Sequence, residues 1–534
     1  MRRSGSDQEH RLSRRRFLHT AGAAVPLLFM GCASDPRTGN RALPSTSVAE
    51  VSAANPTSKP NVLFIVVDDL NDWTGCLGGH PQAKTPNIDH LARRGTLFTR
   101  AYCSAPACLP SRAAALTGVA PYRSGCYVNS PTQTWQDILL PTADPLPAHL
   151  RASGYETAGA GKIFHHYQNH PASWDDFWPS KNLQFPPTHV PAKEYQPAFD
   201  RKPRPKNWYM EFNWGPLDKV VEETGDWMSM TFVSQELQEK RDNPFFLACG
   251  IYRPHVPWFV PRKYFDMFPL DQIQLPPGKA DDYSDIPKSA PRSGPCVYYN
   301  VLDANGYHRQ AVQAYLASIA YVDDLVGRLL KNLDGSGHAD DTIVVLWSDH
   351  GWHLGEKLTY RKFTLWEEAC RVPMIVALPK SMRGDYRQGV GCSRTVNLLD
   401  LYPTLVELCG LKAPRQRLDG HSLVPLLKNP VADWEHGSIT SHGFKNDSLR
   451  TERWRFTRYA DGAEELYDHD TDPYEWTNLA GEPAYAEIVA TLRKRLPRDP
   501  TPQVKTKPFD WSAHFKKYHK EFRERKLMER IKRD

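Results

Sequence analysis

The run Asn61-Val62-Leu63-Phe64-Ile65-Val66-Val67 constrains this chain more than any other segment, because six of its seven residues are apolar and no polar residue alternates with them. A strand with one wet face alternates in polarity. An unbroken apolar run belongs to a strand buried on both faces, as in a parallel sheet covered by helices. Comparable runs recur at Phe245–Gly250, Thr342–Trp347 and Pro373–Leu378, separated by helical patterns such as Ile88–Arg94, Ala311–Leu333 and Leu398–Leu408. The alternation predicts an α/β fold, a doubly wound and mostly parallel sheet over residues 59–430, with ligands at the carboxyl ends of its strands. From Ser438 the pattern shortens to strands at Ser438–Ser441, Leu449–Tyr459 and Glu465–Asp468 and a helix near Ala484–Arg495, which predicts a smaller antiparallel α+β subdomain over 431–500.

With 40 % apolar and 24 % charged residues in 534, the composition excludes a disordered, collagenous or multi-span membrane chain. The 45 Pro and 15 Trp point to rigid, aromatic-rich loops over the scaffold. An insertion at 167–215 carries Trp174, Trp178, Trp208 and Trp214, which serve either as packing or as a sugar platform. Residues 1–32 hold six Arg against Asp7 and Glu9, so only +2 of the net +6 lies beyond them, and nucleic acid is a poor partner. The tail 501–534 is basic, with nine Lys/Arg against four acids in its last 24 residues; it reads as a solvated amphipathic helix or a contact for an anionic polymer or lipid. Ten cysteines without paired zinc spacing make no disulfide framework, and most read as buried small hydrophobes.

Ser13-Arg14-Arg15-Arg16-Phe17-Leu18 precedes an apolar run, Ala21 to Met30, and then Gly31-Cys32. The run is too short to span a bilayer. The segment resembles a twin-arginine export signal running into a lipoprotein cleavage site, although Phe29 stands where an aliphatic residue is commoner. Residues 1–32 are therefore expected to be a signal and 33–58 a linker. The protein is then exported, to the periplasm or as a bacterial lipoprotein anchored through Cys32.

The chemistry gathers at strand ends. Asp68-Asp69 closes the first strand, and Ser348-Asp349-His350-Gly351 closes another. One strand-end Asp is commonly a cap or turn residue. Carboxylates converging from two strands suit a hard divalent cation, with calcium and magnesium both open. Cys108-Leu109-Pro110-Ser111-Arg112 stands about forty residues after the paired Asp, just before a helix expected at Ser111–Thr117. A Cys there lies in a positive field that favours its thiolate.

That pentapeptide resembles the signature of the type I sulfatases, in which a maturation enzyme oxidises the Cys to formylglycine. The resemblance covers roughly residues 60–480. It includes Thr85-Pro86-Asn87-Ile88-Asp89, Leu116-Thr117-Gly118, Gly161-Lys162-Ile163-Phe164-His165, Arg253-Pro254-His255-Val256-Pro257, the stretch from Ser348 to Glu356, Leu418-Asp419-Gly420, and Glu465-Leu466-Tyr467-Asp468 with Asp472-Pro473. Within the family, the pairing of His350 with Trp352, the Lys-Ile-Phe-His motif and the spacing of Lys362 resemble the iduronate 2-sulfatase branch most; Arg253 stands where that branch has lysine.

The resemblance implies an alkaline-phosphatase-like fold and hydrolysis of sulfate esters. It makes Asp68, Asp69, Asp349 and His350 ligands of one calcium or magnesium ion, with the formylglycine made from Cys108 completing the shell. Arg112 would hold the formylglycine hydrate, and His165 would orient or deprotonate it. Lys162, Lys362 and His255 would contact sulfate, His255 protonating the leaving alcohol, while Arg253 and Trp352 would face substrate. The expected substrate is a sulfated carbohydrate with a 2-O-sulfated uronate. The rival readings are a phosphate- or phosphonate-ester hydrolase of the same superfamily and an inactive, surface-tethered glycan-binding lipoprotein.

Overall fold

The structure, a computed structural model, describes residues 59–129, 138–165, 169–181, 212–290 and 294–504, all within one compact unit. The expected signal and linker, most of the insertion including Trp208, and the tail from residue 505 lie outside these residues. In chain order the strands are β1 (Asn61–Asp68), β2 (Thr96–Tyr102), β3 (Glu156–Gly161), β4 (Asp176–Trp178), β5 (Trp214–Leu217), β6 (Phe245–Pro254), β7 (Trp258–Pro261) and β8 (Thr342–Ser348). They continue with β9 (His353–Leu354), β10 (Tyr360–Arg361), β11 (Met374–Ala377), β12 (Val390–Asn397), β13 (Ser438–Ser441), β14 (Asp447–Arg450), β15 (Trp454–Arg458) and β16 (Glu464–Asp468).

Eight of these form the main sheet, in the order β12-β2-β11-β8-β1-β6-β3-β4. Strand β11 is antiparallel to both neighbours and the other pairings are parallel. The fold is thus the alkaline-phosphatase-like α/β architecture expected, with β1 near the middle. Alternate residues of β1 point to opposite faces. Leu63, Ile65 and Val67 pack with helices Pro86–Arg94, Gly225–Glu236 and His308–Asp334, whereas Val62, Phe64 and Val66 pack with helices Cys108–Thr117, Leu146–Ala152 and Leu401–Leu408. Both faces are covered, which is why no polar residue interrupts the run.

Register sets where the chemistry emerges. Val67 of β1 stands opposite Ser348 of β8, so Asp68-Asp69 and Asp349-His350 leave the sheet at one level. The ladder between β1 and β6 shifts after Val67 and pairs Asp68 with Pro254. The carboxylates are thereby released from regular pairing.

A second sheet, β13-β14-β15-β16, is antiparallel throughout, and helix Ala486–Arg493 covers Leu449, Phe456 and Leu466 with Val489 and Leu492. It docks on the segment between β2 and helix Cys108–Thr117: Ser441 N–H donates to the Ser104 carbonyl and Thr440 Oγ1 to that of Cys103.

Three details differ from the sequence reading, and one of its open alternatives is decided. The expected strand at Pro373–Leu378 is the antiparallel β11, since burial on both faces gives an apolar run whatever the direction. The stretch Leu449–Tyr459 is a hairpin, β14 and β15, turning at residues 451–453. The helix expected from Ser111 begins at Cys108 itself, because Pro110 in the first turn removes a donor that has no intrahelical acceptor anyway. Trp174, Trp178 and Trp214 are buried and serve packing. Eight of the nine described cysteines are buried, as expected of small hydrophobes. No helix among the described residues is long and apolar enough to cross a membrane.

Candidate active site

Asp69 turns the chain at the end of β1 with φ +62°. Its N–H donates to Asp349 Oδ1 at 3.1 Å, and the next N–H, of Leu70, donates to Ser348 Oγ at 3.0 Å. Tyr315, from the middle of helix His308–Asp334, donates its hydroxyl to the Asp69 carbonyl at 2.7 Å and accepts the Asn71 N–H at 3.0 Å. From the opposite side, helix Cys108–Thr117 is wholly buried. Its Ala113-Ala114-Ala115 run favours helix, and Gly118, at φ +67°, ends it where a Cβ would meet Leu418 at 2.3 Å. Ser111 Oγ donates to the Asp349 carbonyl, which ties this helix to the end of β8.

Between these ends the side chains converge. Lys362 Nζ lies 2.9 Å from Cys108 Sγ and 2.6 Å from Asp69 Oδ1. His350 Nε2 is 3.2 Å from Cys108 Sγ and 3.3 Å from Asp69 Oδ1, while its Nδ1 is 3.0 Å from the Gly351 carbonyl. Arg112 donates through Nε to Asp349 Oδ2 at 2.7 Å and through Nη2 to Asp68 Oδ1 at 3.1 Å; Lys162 donates to Asp68 Oδ2. His255 Nε2 stands 3.8 Å from Asp69 Oδ2, and His165 lies beside Cys108, where it favours the thiolate.

Opposed charges in a water-poor site shift the titrations. Burial raises the Cys108 thiol, but Lys162, Lys362 and His350 outweigh it and hold it well below its ordinary value. Burial raises Asp68, and Lys162 only partly offsets this. Asp349 is lowered, since Arg112 and His350 overcome its burial. Burial lowers His350, yet Asp349 reverses the sign and raises it to about 9. Lys362 and Arg112, opposed by burial, are held charged by Asp69 and by Asp349 respectively.

The donor set fits a hard divalent cation. Ligand atoms of Asp68, Cys108, Asp349 and His350 lie within 4.8 Å of one another, and so do those of Asp68, Asp69, Cys108 and His255. Asp69 Oδ2 is buried and accepts no hydrogen bond among the described residues, which leaves a carboxylate oxygen for a cation.

A family profile described as Sulfatase matches residues 60–411, and one described as N-sulphoglucosamine sulphohydrolase, C-terminal, matches 355–500. The chain belongs to the sulfatase family. A sulfatase of Formosa agariphila is 36% identical, covering 82% of this chain and 87% of that protein. Human iduronate 2-sulfatase is 30% identical, covering 71% and 76% respectively. The fold is shared with a phosphonate monoester hydrolase of Agrobacterium radiobacter at a TM-score of 0.64 and 22% identity, covering 82% of this chain and 94% of that one. A 2-O GAG sulfatase superposes at 0.56 and 21%, covering 88% and 93%. The enzyme is a sulfuric ester hydrolase.

In this sulfatase ten of the expected residues meet at one point: Asp68, Asp69, Cys108, Arg112, Lys162, His165, His255, Asp349, His350 and Lys362. The expectation that Arg253 and Trp352 face substrate is revised. Arg253 is 4% exposed, donates through Nε to the Phe259 carbonyl and sets its charge against Asp226. Trp352 has no exposed surface and lies beneath Lys362, whose Nζ is 5.5 Å from a ring centroid. Tyr252 does the same for Lys162 at 5.4 Å, so each site lysine rests over an aromatic face. Sequence reasoning missed Tyr252, Ser111, Asn71 and Tyr315. The first three adjoin or lie inside quoted motifs; Tyr315 sits in an amphipathic helix and gave no signal beyond core.

Proposed function

We propose that this sulfatase removes sulfate from a carbohydrate, preferring a 2-O-sulfated uronate at a chain terminus, with Cys108 matured to formylglycine by a formylglycine-generating enzyme. The carrying observation is the convergence of Lys162, Lys362, His165, His350 and three aspartates on residue 108 at the end of the central strand. Cys108 Sγ stands in for an oxygen of the hydrated aldehyde. That hydrate would supply one hydroxyl to attack sulfur and a second whose deprotonation expels sulfate, which neither a thiol nor a serine can do. Calcium, or magnesium, held by Asp68, Asp69, Asp349, His350 and residue 108, would supply positive charge facing the sulfuryl oxygens.

The chain's own groups account for the rest. Arg112 fixes Asp68 and Asp349 and so holds two ligands in place. Lys162 and Lys362, drawn here onto Asp68 and Asp69, are the ammonium groups placed to neutralise a sulfate entering between them. His165, beside residue 108, is the candidate base for the hydrate. His255, its Nε2 turned toward Asp69, is the candidate acid for the departing alcohol.

The uronate preference is supported by likeness to iduronate 2-sulfatase and to an ulvan-active sulfatase of Formosa agariphila, and not by Arg253, which is buried and donates to the Phe259 carbonyl. Export is proposed on Arg14-Arg15-Arg16 and the following apolar run, to the periplasm or to a lipid anchor at Cys32. The fold shared with phosphonate monoester hydrolases keeps a phosphonate ester among the substrates to be tested. A panel of uronate-containing and neutral oligosaccharides, sulfated at defined positions, with an aryl phosphonate monoester as a further arm, tests the substrate. Release of sulfate from the 2-O-sulfated uronate at least tenfold faster than from neutral units is expected. Equal or faster turnover of 6-O-sulfated galactose overturns the uronate preference alone; fastest turnover of the phosphonate overturns the sulfate assignment.

A further inference from the structure

Two buried cysteines that the reaction does not use face each other beside the site. The end of β2 pairs with the segment just before β11. Tyr102 bridges Arg371 antiparallel, the Val372 N–H donates to the Ala101 carbonyl, and the Cys103 N–H donates to the Cys370 carbonyl, both at 2.9 Å. Tyr102 and Arg371 are thus a non-hydrogen-bonded pair, and one backbone bond joins Cys103, just past β2, to Cys370, the last residue of the short helix Glu367–Cys370. A single N–H···O=C bond of 2.9 Å holds the two Cα atoms roughly 5–6 Å apart, and the Cys370 thiol is near enough to Cys103 to raise its pKa. Disulfides form across Cα separations of roughly 4.4–6.8 Å.

Both thiols are fully buried in the same apolar cluster, and each has only a weak partner: Cys103 Sγ lies 3.8 Å from the Ala369 carbonyl and Cys370 Sγ 3.7 Å from that of Thr364. Burial, with the neighbouring Cys370 thiol, pushes Cys103 well above the ordinary thiol range. The position matters mechanically. Cys103 is five residues before Cys108, Cys370 is eight after Lys362, and the Cys103 carbonyl receives Thr440 of β13. The strand leading to the nucleophile, the segment following its lysine and the C-terminal sheet meet at this pair.

We propose that Cys103 and Cys370 are a disulfide site, a dithiol that a low-molecular-weight disulfide or a disulfide-bearing oxidoreductase converts to an intramolecular S–S bond joining the Cys108 and Lys362 segments. In the first step one protein thiolate attacks the oxidant's S–S bond, forming a mixed disulfide and releasing one thiol. The second protein thiolate then attacks the sulfur of its partner cysteine and releases the second thiol. Two protein thiols lose two protons and two electrons, and one oxidant disulfide is reduced to two thiols. Because neither sulfur is exposed, exchange proceeds while the segment is open, during folding or local unfolding. Once formed, the bond links segments far apart in the chain, the case in which cross-linking restricts the unfolded ensemble most.

The test uses the full chain, first reduced, then equilibrated with a reduced and oxidised glutathione pair in mild denaturant and returned to buffer. Unreacted thiols are blocked, and tryptic peptides are mapped without reduction. The expected product joins peptide 101–112 to peptide 363–371, with fragment ions placing the bond on Cys103 rather than Cys108. The oxidised protein should melt about 3 °C or more above the reduced one. Cys103→Ala should abolish both the linked peptide and the oxidant-dependent rise. Absence of the link after exchange with glutathione has been demonstrated at Cys103 or Cys370, or a bond formed through Cys108, overturns the proposal. The wild-type peptide map decides the matter even if the variant does not fold.

Discussion

At the scale of single residues, Asp69 carries the most unusual burden: a side chain proposed as a metal ligand on a backbone at φ +62°, a conformation in which a Cβ is strained. Tyr315 holds that turn by bonding the carbonyl of Asp69 and the N–H of Asn71. Tyr315→Phe should therefore cost about 1–3 kcal/mol of stability through two backbone groups left unsatisfied. It should also weaken calcium affinity roughly tenfold, as loss of an outer hydrogen bond to a ligand does. Calorimetric calcium titration of the variant checks this, and an unchanged affinity would mean the tyrosine only fills space. The candidate ligands themselves were legible in the sequence, because acidic pairs closing apolar runs stand out without any tertiary knowledge. Tyr315 was not legible, since helical periodicity marks it as core and says nothing of what its hydroxyl reaches. Arg253 was misread for the same reason: its motif on β6 is visible, but the Asp226 carboxylate beneath it comes from helix Gly225–Glu236.

Among the elements, the C-terminal sheet is held to the catalytic core by buried ions. Arg455 donates to Glu475 and Glu367, Arg450 reaches Glu367 at 3.2 Å, and His469 lies 3.0 Å from Glu475. Burial opposes the charge on Glu475, yet Arg455 and His469 lower it from 4.5 to about 2, and Glu367 is likewise held well below its ordinary value. A depressed carboxylate stabilises the fold above its unfolded pKa and loses that contribution as pH falls toward its folded one. Denaturant midpoints should accordingly drop as pH falls from 4.5 toward 2. Glu475→Gln should be destabilised by about 3–5 kcal/mol near neutrality and show a shallower acid slope. Parallel slopes would show that Glu475 does not drive the transition. Periodicity gave the position of this sheet but not the ion pairs, of which those to Glu367 join residues 83 and 88 positions apart. It also missed β2, β3 and β12, whose sequences mix Thr, Gly, Arg and Ser with apolar residues.

For the molecule as a whole, the class of fold could be read from the alternation of apolar runs and helices, whereas strand order could not, because β12 beside β2 and β8 beside β1 are pairings between distant segments. The proposed export adds a constraint on timing. Twin-arginine transport carries folded proteins, so residue 108 would have to mature before translocation. Replacing Arg14, Arg15 and Arg16 with Lys should retain the protein in the cytoplasm, checked by cell fractionation, since the receptor discriminates against lysine pairs. Unchanged export in a strain lacking that pathway would refute the route. All of the proposed chemistry depends on residue 108 being an aldehyde and not a thiol. Mass spectrometry of the tryptic peptide 101–112 from enzyme made in its native host measures this directly. The expected result is a peptide with formylglycine at position 108, trapped by hydrazine reagents and present in proportion to activity. Fully active enzyme with only an unmodified Cys108 thiol would contradict it.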